Sequence, residues 1–384
     1  MTAAALPSGV DRDGFAILGR CAYLHSAVKG ALHDDVRRAL ADYLDDWDRL
    51  GASWEPWLEA IEDCRAAFAE LVGAAPADVF AAGSVSATLT AVLSALDLTE
   101  RREILVFAED FPTIVDVARS ARERGATLRV LSAPEDGAQL LQLVEQAASE
   151  RTCAVLVQWI HHVARYELDL AAFAERCHRA GALAIVDGYH GVGALAVDAP
   201  ATGIDVLACG AMKYLLGGAG GLALAYCAPA LSAAARPLVS GWLGSTDPFA
   251  RDRLGLVPPA GARRFEAGLN SVADAFMLRA GLAHVTSWPA TAASEHVRAQ
   301  TAWLAGAVSE LLGNRVRVAG PALAFSVADA PALVRELATR DVIAGSWGPW
   351  IRLSIHAYTT DDDVRAAASA LRAIGASPAL RPPG

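Results

Sequence analysis

The chain has 384 residues, of which 54 % are hydrophobic and 20 % charged, so a large core can form and wholesale disorder is excluded. Lys and Arg number 33 against 43 Asp and Glu, a formal charge of −10 with no long basic run, which argues against sequence-independent nucleic-acid binding. The six cysteines are scattered with no CxxC pair, so neither a disulfide framework nor a structural zinc site is expected, and a reducing, cytoplasmic setting is the default.

Taken in chain order, the N-terminus lacks the basic segment and apolar run of a secretory signal. Asp34 to Trp47 reads as an amphipathic helix. From residue 79 short apolar runs alternate with helical stretches. The predicted strands are VFAA from Val79, EILVFA from Glu103, TLRVLS from Thr127, AVLVQ from Ala154, ALAIVD from Ala182, DVLACG from Asp205 and GLALAY from Gly221. PTIVDVARSARERG and DLAAFAERCHRAG are predicted helices, the second with Asp169 as N-cap and Gly181 as stop. This alternation predicts an α/β fold with a mostly parallel sheet covered by helices on both faces. Tyr214 to Ala235 is uncharged and long enough to span a bilayer, but its Gly, Ala and Pro229 fit a glycine turn and a buried strand better, so no membrane partner is expected. From about residue 261 longer helices and a few strands (AFSVAD, WIRLSI) predict a smaller α/β unit. The expected division is a large domain over 50–260 and a small domain made of 1–49 and 261–384.

Ligands of such sheets bind beyond the carboxyl ends of the strands. Asp187 follows ALAIV, in IVDGYHGVG, and Lys213 follows DVLACG, in GAMKYLLGGAGG. A carboxylate and a lysine at successive strand ends suit pyridoxal 5′-phosphate: the lysine forms a Schiff base, and the acid keeps the pyridine nitrogen protonated so that the ring accepts carbanion charge. The same pair also occurs as a surface ion pair or a helix cap. AAGSVSATLTAVL places Ser84, Val85 and Ser86 at a helix start directly after a strand, where backbone amides and hydroxyls can hold a phosphate.

Together these segments resemble the class V aminotransferase group of fold-type I pyridoxal-phosphate enzymes, which includes kynureninases, cysteine desulfurases and isopenicillin-N-epimerase-like proteins. EDFPTIVDV resembles the kynureninase segment whose phenylalanine, here Phe111, stacks on the cofactor. IVDGYHGVG resembles the pattern of the pyridine-binding Asp followed by His, implying Asp187 and His190. In VQWIHHVARYELDL, His161 stands where the group has an asparagine bonded to the cofactor's phenolic oxygen. SGWLGS and RRFEAGLNS resemble segments that complete the neighbouring subunit's phosphate site, implying Trp242, Asn270 and an obligate homodimer with shared active sites. IRLSIHAYTTDDDV resembles the C-terminal motif whose arginine, here Arg352, receives the substrate α-carboxylate; a guanidinium fork suits that group. AYLHSAVKG puts His25 and Ser26 where relatives approach the substrate, His25 as a candidate to steer the reaction. His356 and Tyr358 read as structural, and Trp54 and Trp57 as core.

The chain also departs from the group. Ala211 and Met212 stand where phosphate-anchoring side chains precede the lysine, and no cysteine follows Cys227, so a mobile persulfide carrier is excluded. The resemblance implies an enzyme in which Lys213 removes the Cα proton of an amino-acid-like substrate, with Cβ cleavage or elimination as the preferred outcome. Transamination, epimerisation and oxidative deamination start from the same carbanion. The rivals from other classes are a non-catalytic cofactor-binding sensor and a nicotinamide dehydrogenase, the latter disfavoured because no GxGxxG follows the first strand.

Overall fold

A computed structural model describes residues 6–249, 257–375 and 378–382. Its strands are β1 (Ala22–Leu24), β2 (Val79–Ala82), β3 (Glu103–Phe107), β4 (Thr127–Leu131), β5 (Thr152–Gln158), β6 (Leu183–Asp187), β7 (Val206–Gly210), β8 (Ala223–Cys227), β9 (Arg317–Ala319), β10 (Ala322–Ser326), β11 (Val342–Trp347) and β12 (Trp350–Ser354). All seven strands predicted between residues 79 and 227 are present, and they form one sheet in the order β2-β8-β7-β6-β5-β3-β4. The neighbours from β4 to β7 run parallel, and β8 is antiparallel to both β7 and β2.

Apart from its edge strand β4, the sheet is buried on both faces because its strands are apolar at nearly every position rather than at alternate ones. Val155, Val157, Ala184 and Val186 pack with Phe173 and Cys177 of the helix Leu170–Arg179. Their neighbours Ala154, Leu156 and Ile185 belong to the opposite face, with Leu89 and Val92 of the helix Val85–Ser94 and Ile114 of the helix Pro112–Ser120. The helix Leu170–Arg179 starts where its cap predicts: Asp169 accepts a hydrogen bond from the Ala172 amide at 3.0 Å, and Gly181 follows in the left-handed region at φ 70°. Parallel pairing aligns the carboxyl ends, setting Gln158 opposite Asp187 and Asp187 opposite Ala208.

A second sheet has the order β1-β11-β12-β10-β9, with β1 parallel to β11 and the other pairs antiparallel. Three of these strands escape a reading by pattern: β1 and β9 have three residues each, and β11 carries a glycine within it. The helix Val272–Ser287 packs on the helices Asp34–Leu50 and Trp54–Leu71. A buried ion pair, Arg65 with Glu266, ties this region to the first strand of the large sheet, since Arg65 Nε also donates to the Val79 carbonyl at 3.0 Å. Trp54, expected in the core, is 42 % exposed: it opens its helix at the surface and meets Trp57 and Trp242 edge-on. Among the described residues no helix is long and apolar enough to cross a membrane.

Candidate active site

Asp187 ends β6 and Lys213 lies three residues beyond β7, so the sheet delivers both to one cavity of about 310 Å³. The close approach of Gly30 allows this: a Cβ there would lie 2.3 Å from the Lys213 carbonyl oxygen. Lys213 Nζ is 2.9 Å from His190 Nε2 and 4.0 Å from the centre of the Tyr189 ring. No carboxylate lies within ion-pair distance of it among the described residues. Burial lowers its pKa to about 8, with Asp187 opposing the shift and Arg352 adding to it. Burial likewise raises Asp187, against the Tyr189 amide, which donates to Oδ1 at 2.9 Å. His190 is held neutral by burial, and its Nδ1 is buried without a hydrogen-bond partner.

A second cavity of about 100 Å³ adjoins the first, and the two share Phe111, Asp187 and Tyr189. Ser84, Val85, Ser86 and Thr113 line it. Ser84 caps the helix Val85–Ser94 by accepting from the Ala87 amide at 3.1 Å, and Ser86 Oγ is 3.1 Å from Thr113 Oγ1. Thr113 and Tyr189 are not singled out by the sequence reading, although each lies within two residues of one that is. Tyr189 lies across β7 because Gly210 has no side chain; a Cβ there would sit 2.1 Å from its ring.

The second sheet supplies the opposite wall. Arg352 on β12 is buried and lines the larger cavity. Its Nη1 donates to the His162 carbonyl at 2.9 Å, its Nε is buried without a partner, and no carboxylate pairs with it among the described residues. The edge formed by Nε and Nη2 is therefore left for an anion. Trp347, at the end of β11, packs against Phe111 and His162 with ring centres 5.3 Å apart in each case.

Several expected residues sit elsewhere. His161 lines neither cavity: its Nε2 meets the Glu109 carbonyl at 2.8 Å and its Nδ1 accepts from the Val163 amide. Its neighbour His162 packs beside Phe111 instead, because the chain turns sharply here, with Ala164 at φ 51°. Gln158 holds His162 in place: its Oε1 accepts from the Phe111 amide at 3.1 Å, so the adjacent His162 Nδ1, 3.0 Å away, is the donor and Nε2 is left unprotonated. Ser26 is buried on the Tyr358 hydroxyl at 2.8 Å, away from both cavities. His25 lines neither cavity; its Nδ1 is buried and unpartnered over Gly345, and the charge of Arg352 helps burial to lower its pKa. Trp242 and Asn270 line neither cavity of their own chain, and Trp242 joins Trp54 and Phe249 in a surface aromatic cluster.

The glycine-rich turn after Lys213 is pinned by a residue with no sequence signal, Asp274. Its buried carboxylate accepts from the amides of Ala219, Gly220 (3.2 Å) and Gly221 (3.1 Å), and Lys29 Nζ donates to the Gly218 carbonyl. Ala211 is buried and Met212 lines the larger cavity, so neither offers a polar side chain to a phosphate.

The profile of the aminotransferase class-V family matches residues 23–366. The chain belongs to this family. An uncharacterized aminotransferase, YcbU of Bacillus subtilis strain 168, is 29 % identical over 92 % of this class V chain and 94 % of its own. A kynureninase of Deinococcus radiodurans is 31 % identical over 72 % of this chain and 68 % of its own. Among solved structures, the cystine C-S lyase C-DES in complex with cysteine persulfide superposes with a TM-score of 0.81 at 19 % identity, covering 93 % of this chain and 98 % of that one. The Escherichia coli cysteine desulfurase CsdA does so with a TM-score of 0.80 at 19 % identity, covering 94 % and 96 %. The fold is that of the fold-type I enzymes, and the cofactor of this class V enzyme is pyridoxal 5′-phosphate. The donor set suits that group: a buried amine without an ionic partner, a buried carboxylate one of whose oxygens carries no hydrogen bond among the described residues, and a helix N-terminus edged by hydroxyls.

Proposed function

We propose that this enzyme removes the Cα proton of an α-amino acid and that the outcome is bond cleavage or elimination at Cβ. The observation that carries the reading is the pairing, in one cavity, of a lysine depressed to about pKa 8 with a buried arginine that no carboxylate among the described residues pairs. When bound, the cofactor supplies the electron sink for the carbanion. Lys213 would hold its aldehyde carbon and, once displaced by the substrate amine, act as the base; a pKa near 8 leaves a useful neutral fraction at neutral pH. His190, whose Nε2 lies 2.9 Å from Nζ and 3.2 Å from the Ala27 carbonyl, would keep Nζ aimed into the cavity. Asp187 would bind the ring nitrogen, Phe111 and Tyr189 would flank the ring, and Ser84, Val85, Ser86 and Thr113 would receive the phosphate. Arg352 would take the α-carboxylate through Nε and Nη2. Of the two adjacent histidines it is His162 that packs against Phe111, the residue that would stack on the ring.

Cleavage at Cβ is favoured over sulfur transfer because, among the described residues, none of the cysteines lines either cavity. The decisive assay incubates the loaded enzyme with amino acids bearing a Cβ leaving group, without any 2-oxo acid. Release of pyruvate or alanine supports the reading. Turnover only when a 2-oxo acid is supplied replaces it with transamination.

The same reading includes a homodimer, a division into 50–260 against 1–49 with 261–384, and a reducing, cytoplasmic setting. Supporting these are the exposed Trp47, Trp54 and Phe249 beside half-buried Trp242, the pairing of β1 with β11, and six free cysteines. If Trp242 and Asn270 complete the neighbour's site, inactive Lys213→Ala and Trp242→Ala chains should regain activity when mixed. A monomer in sedimentation with full activity would refute the shared site.

A further inference from the structure

The carboxylate, the imidazole and the two basic side chains that line the larger cavity are those of Asp187, His190, Lys213 and Arg352, and the proposed function gives each a place. The remaining lining of Ala27, Val28, Phe111, Tyr189, Met212 and Trp347 offers no charge to a substrate side chain. Trp347 differs from the other lining residues in being 40 % exposed, at the end of a tight hairpin where Gly348 takes φ 54° and Trp347 pairs with Trp350. The hairpin also carries Arg352, which pairs with Gly345. Gly345 and Trp347 are two residues apart on β11, so the ring and the guanidinium share one face of the sheet. A carboxylate gripped by Arg352 is therefore at a set distance from the Trp347 ring. The ring is steadied from outside its own sheet by Phe111, tilted 43° to it, and by His162, edge-on at 82°.

From this geometry, and resting on the amino-acid reading above, we propose that Trp347 is the specificity-determining wall of the side-chain subsite, and that the substrate is an α-amino acid with an uncharged, apolar side chain, aromatic ones fitting best. A side-chain carboxylate or ammonium would be desolvated there against aromatic and aliphatic groups with no counter-charge. An aromatic side chain would meet the Trp347 face at its mouth.

The test titrates the pyridoxal-phosphate-loaded enzyme with glycine, alanine, norleucine, phenylalanine, aspartate and lysine, reading the visible absorbance of the cofactor to obtain dissociation constants. Norleucine and phenylalanine should bind tightest and aspartate and lysine weakest. Trp347→Ala should weaken norleucine and phenylalanine at least about tenfold while leaving glycine and alanine within about twofold. Trp347→Phe should recover most of the loss. Tighter binding of aspartate or lysine, or an equal loss for all six ligands in Trp347→Ala, overturns the subsite but keeps the amino-acid reading. A spectrum that no amino acid perturbs, glycine and alanine included, overturns both.

Discussion

The two walls of the cleft are built in different ways. On the large-sheet side Asp187 and Lys213 project from successive parallel strands, so their separation follows from sheet geometry and from the turn after β7. On the small-sheet side Arg352 and Trp347 ride on one antiparallel hairpin, and their aim depends on single contacts with the other wall: the His162 carbonyl for Arg352, the Phe111 and His162 rings for Trp347. Loss of a residue on the first wall should abolish chemistry. Loss on the second should change which molecules are bound, leaving the cofactor attached.

The largest effect is expected at Lys213. Lys213→Ala should remove the lysine-linked product trapped by borohydride and lower turnover on the order of 10³-fold or more; peptide mapping of the reduced protein checks it, and labelling at another lysine refutes it. Arg352→Ala should leave borohydride trapping at Lys213 intact while weakening every carboxylate-bearing substrate by about 2–5 kcal/mol. Arg352→Lys should recover only part, because a point charge does not reproduce the fork. Normal binding by Arg352→Ala would dissolve the contrast between the walls.

A third test probes what keeps the first wall rigid. Asp274→Ala strands three amides of the glycine turn, a loss of about 3 kcal/mol, and should lower both thermal stability and cofactor retention. Lower stability with unchanged cofactor affinity would separate the turn from the site.

The smallest effect concerns His356, buried behind the second wall. Its Nε2 meets the Tyr214 carbonyl at 3.2 Å, its Nδ1 accepts from the Ala357 amide at 2.8 Å, and its ring stacks on Tyr358. Burial lowers its pKa to about 3, so the folded chain keeps it neutral where the unfolded chain, titrating near 6.5, takes up a proton. Its stabilisation is complete above about pH 6.5 and is lost as pH falls toward 3, at about 1.4 kcal/mol per unit. Asp110 acts in the opposite sense: burial raises it to about 8, so its share is lost as pH rises toward 8. Comparing wild type with His356→Gln between pH 7 and 5 cancels Asp110, and the wild type should lose more stability over that interval. Parallel curves would remove His356 from the balance.

The difference between the walls also sets how much of the site was legible in advance. Strand ends announce Asp187 and Lys213, and the helix start after β2 announces Ser84 to Ser86. The sequence does not say which of two adjacent histidines packs against Phe111 and Trp347. His161 and His162 differ only in where a sharp turn and the Gln158 amide direct them. Ser26 lies close to the cavity-lining Ala27 in sequence, yet the Tyr358 hydroxyl draws it into the core. Asp274 had no signal, because its partners are backbone amides more than fifty positions away.

By itself the sequence determined the alternation of strand and helix, the caps of the helices, and the placing of an acid and a lysine beyond parallel strands. Those properties are written in hydrophobic period, chain direction and local capping, all of which act within a few residues. Only the tertiary structure decided the imidazole tautomer at His162, the open edge of Arg352 and the position of Trp347 at the mouth. Each of these depends on hydrogen bonds or ring contacts between segments distant in the chain, and those contacts exist only once two sheets have packed together.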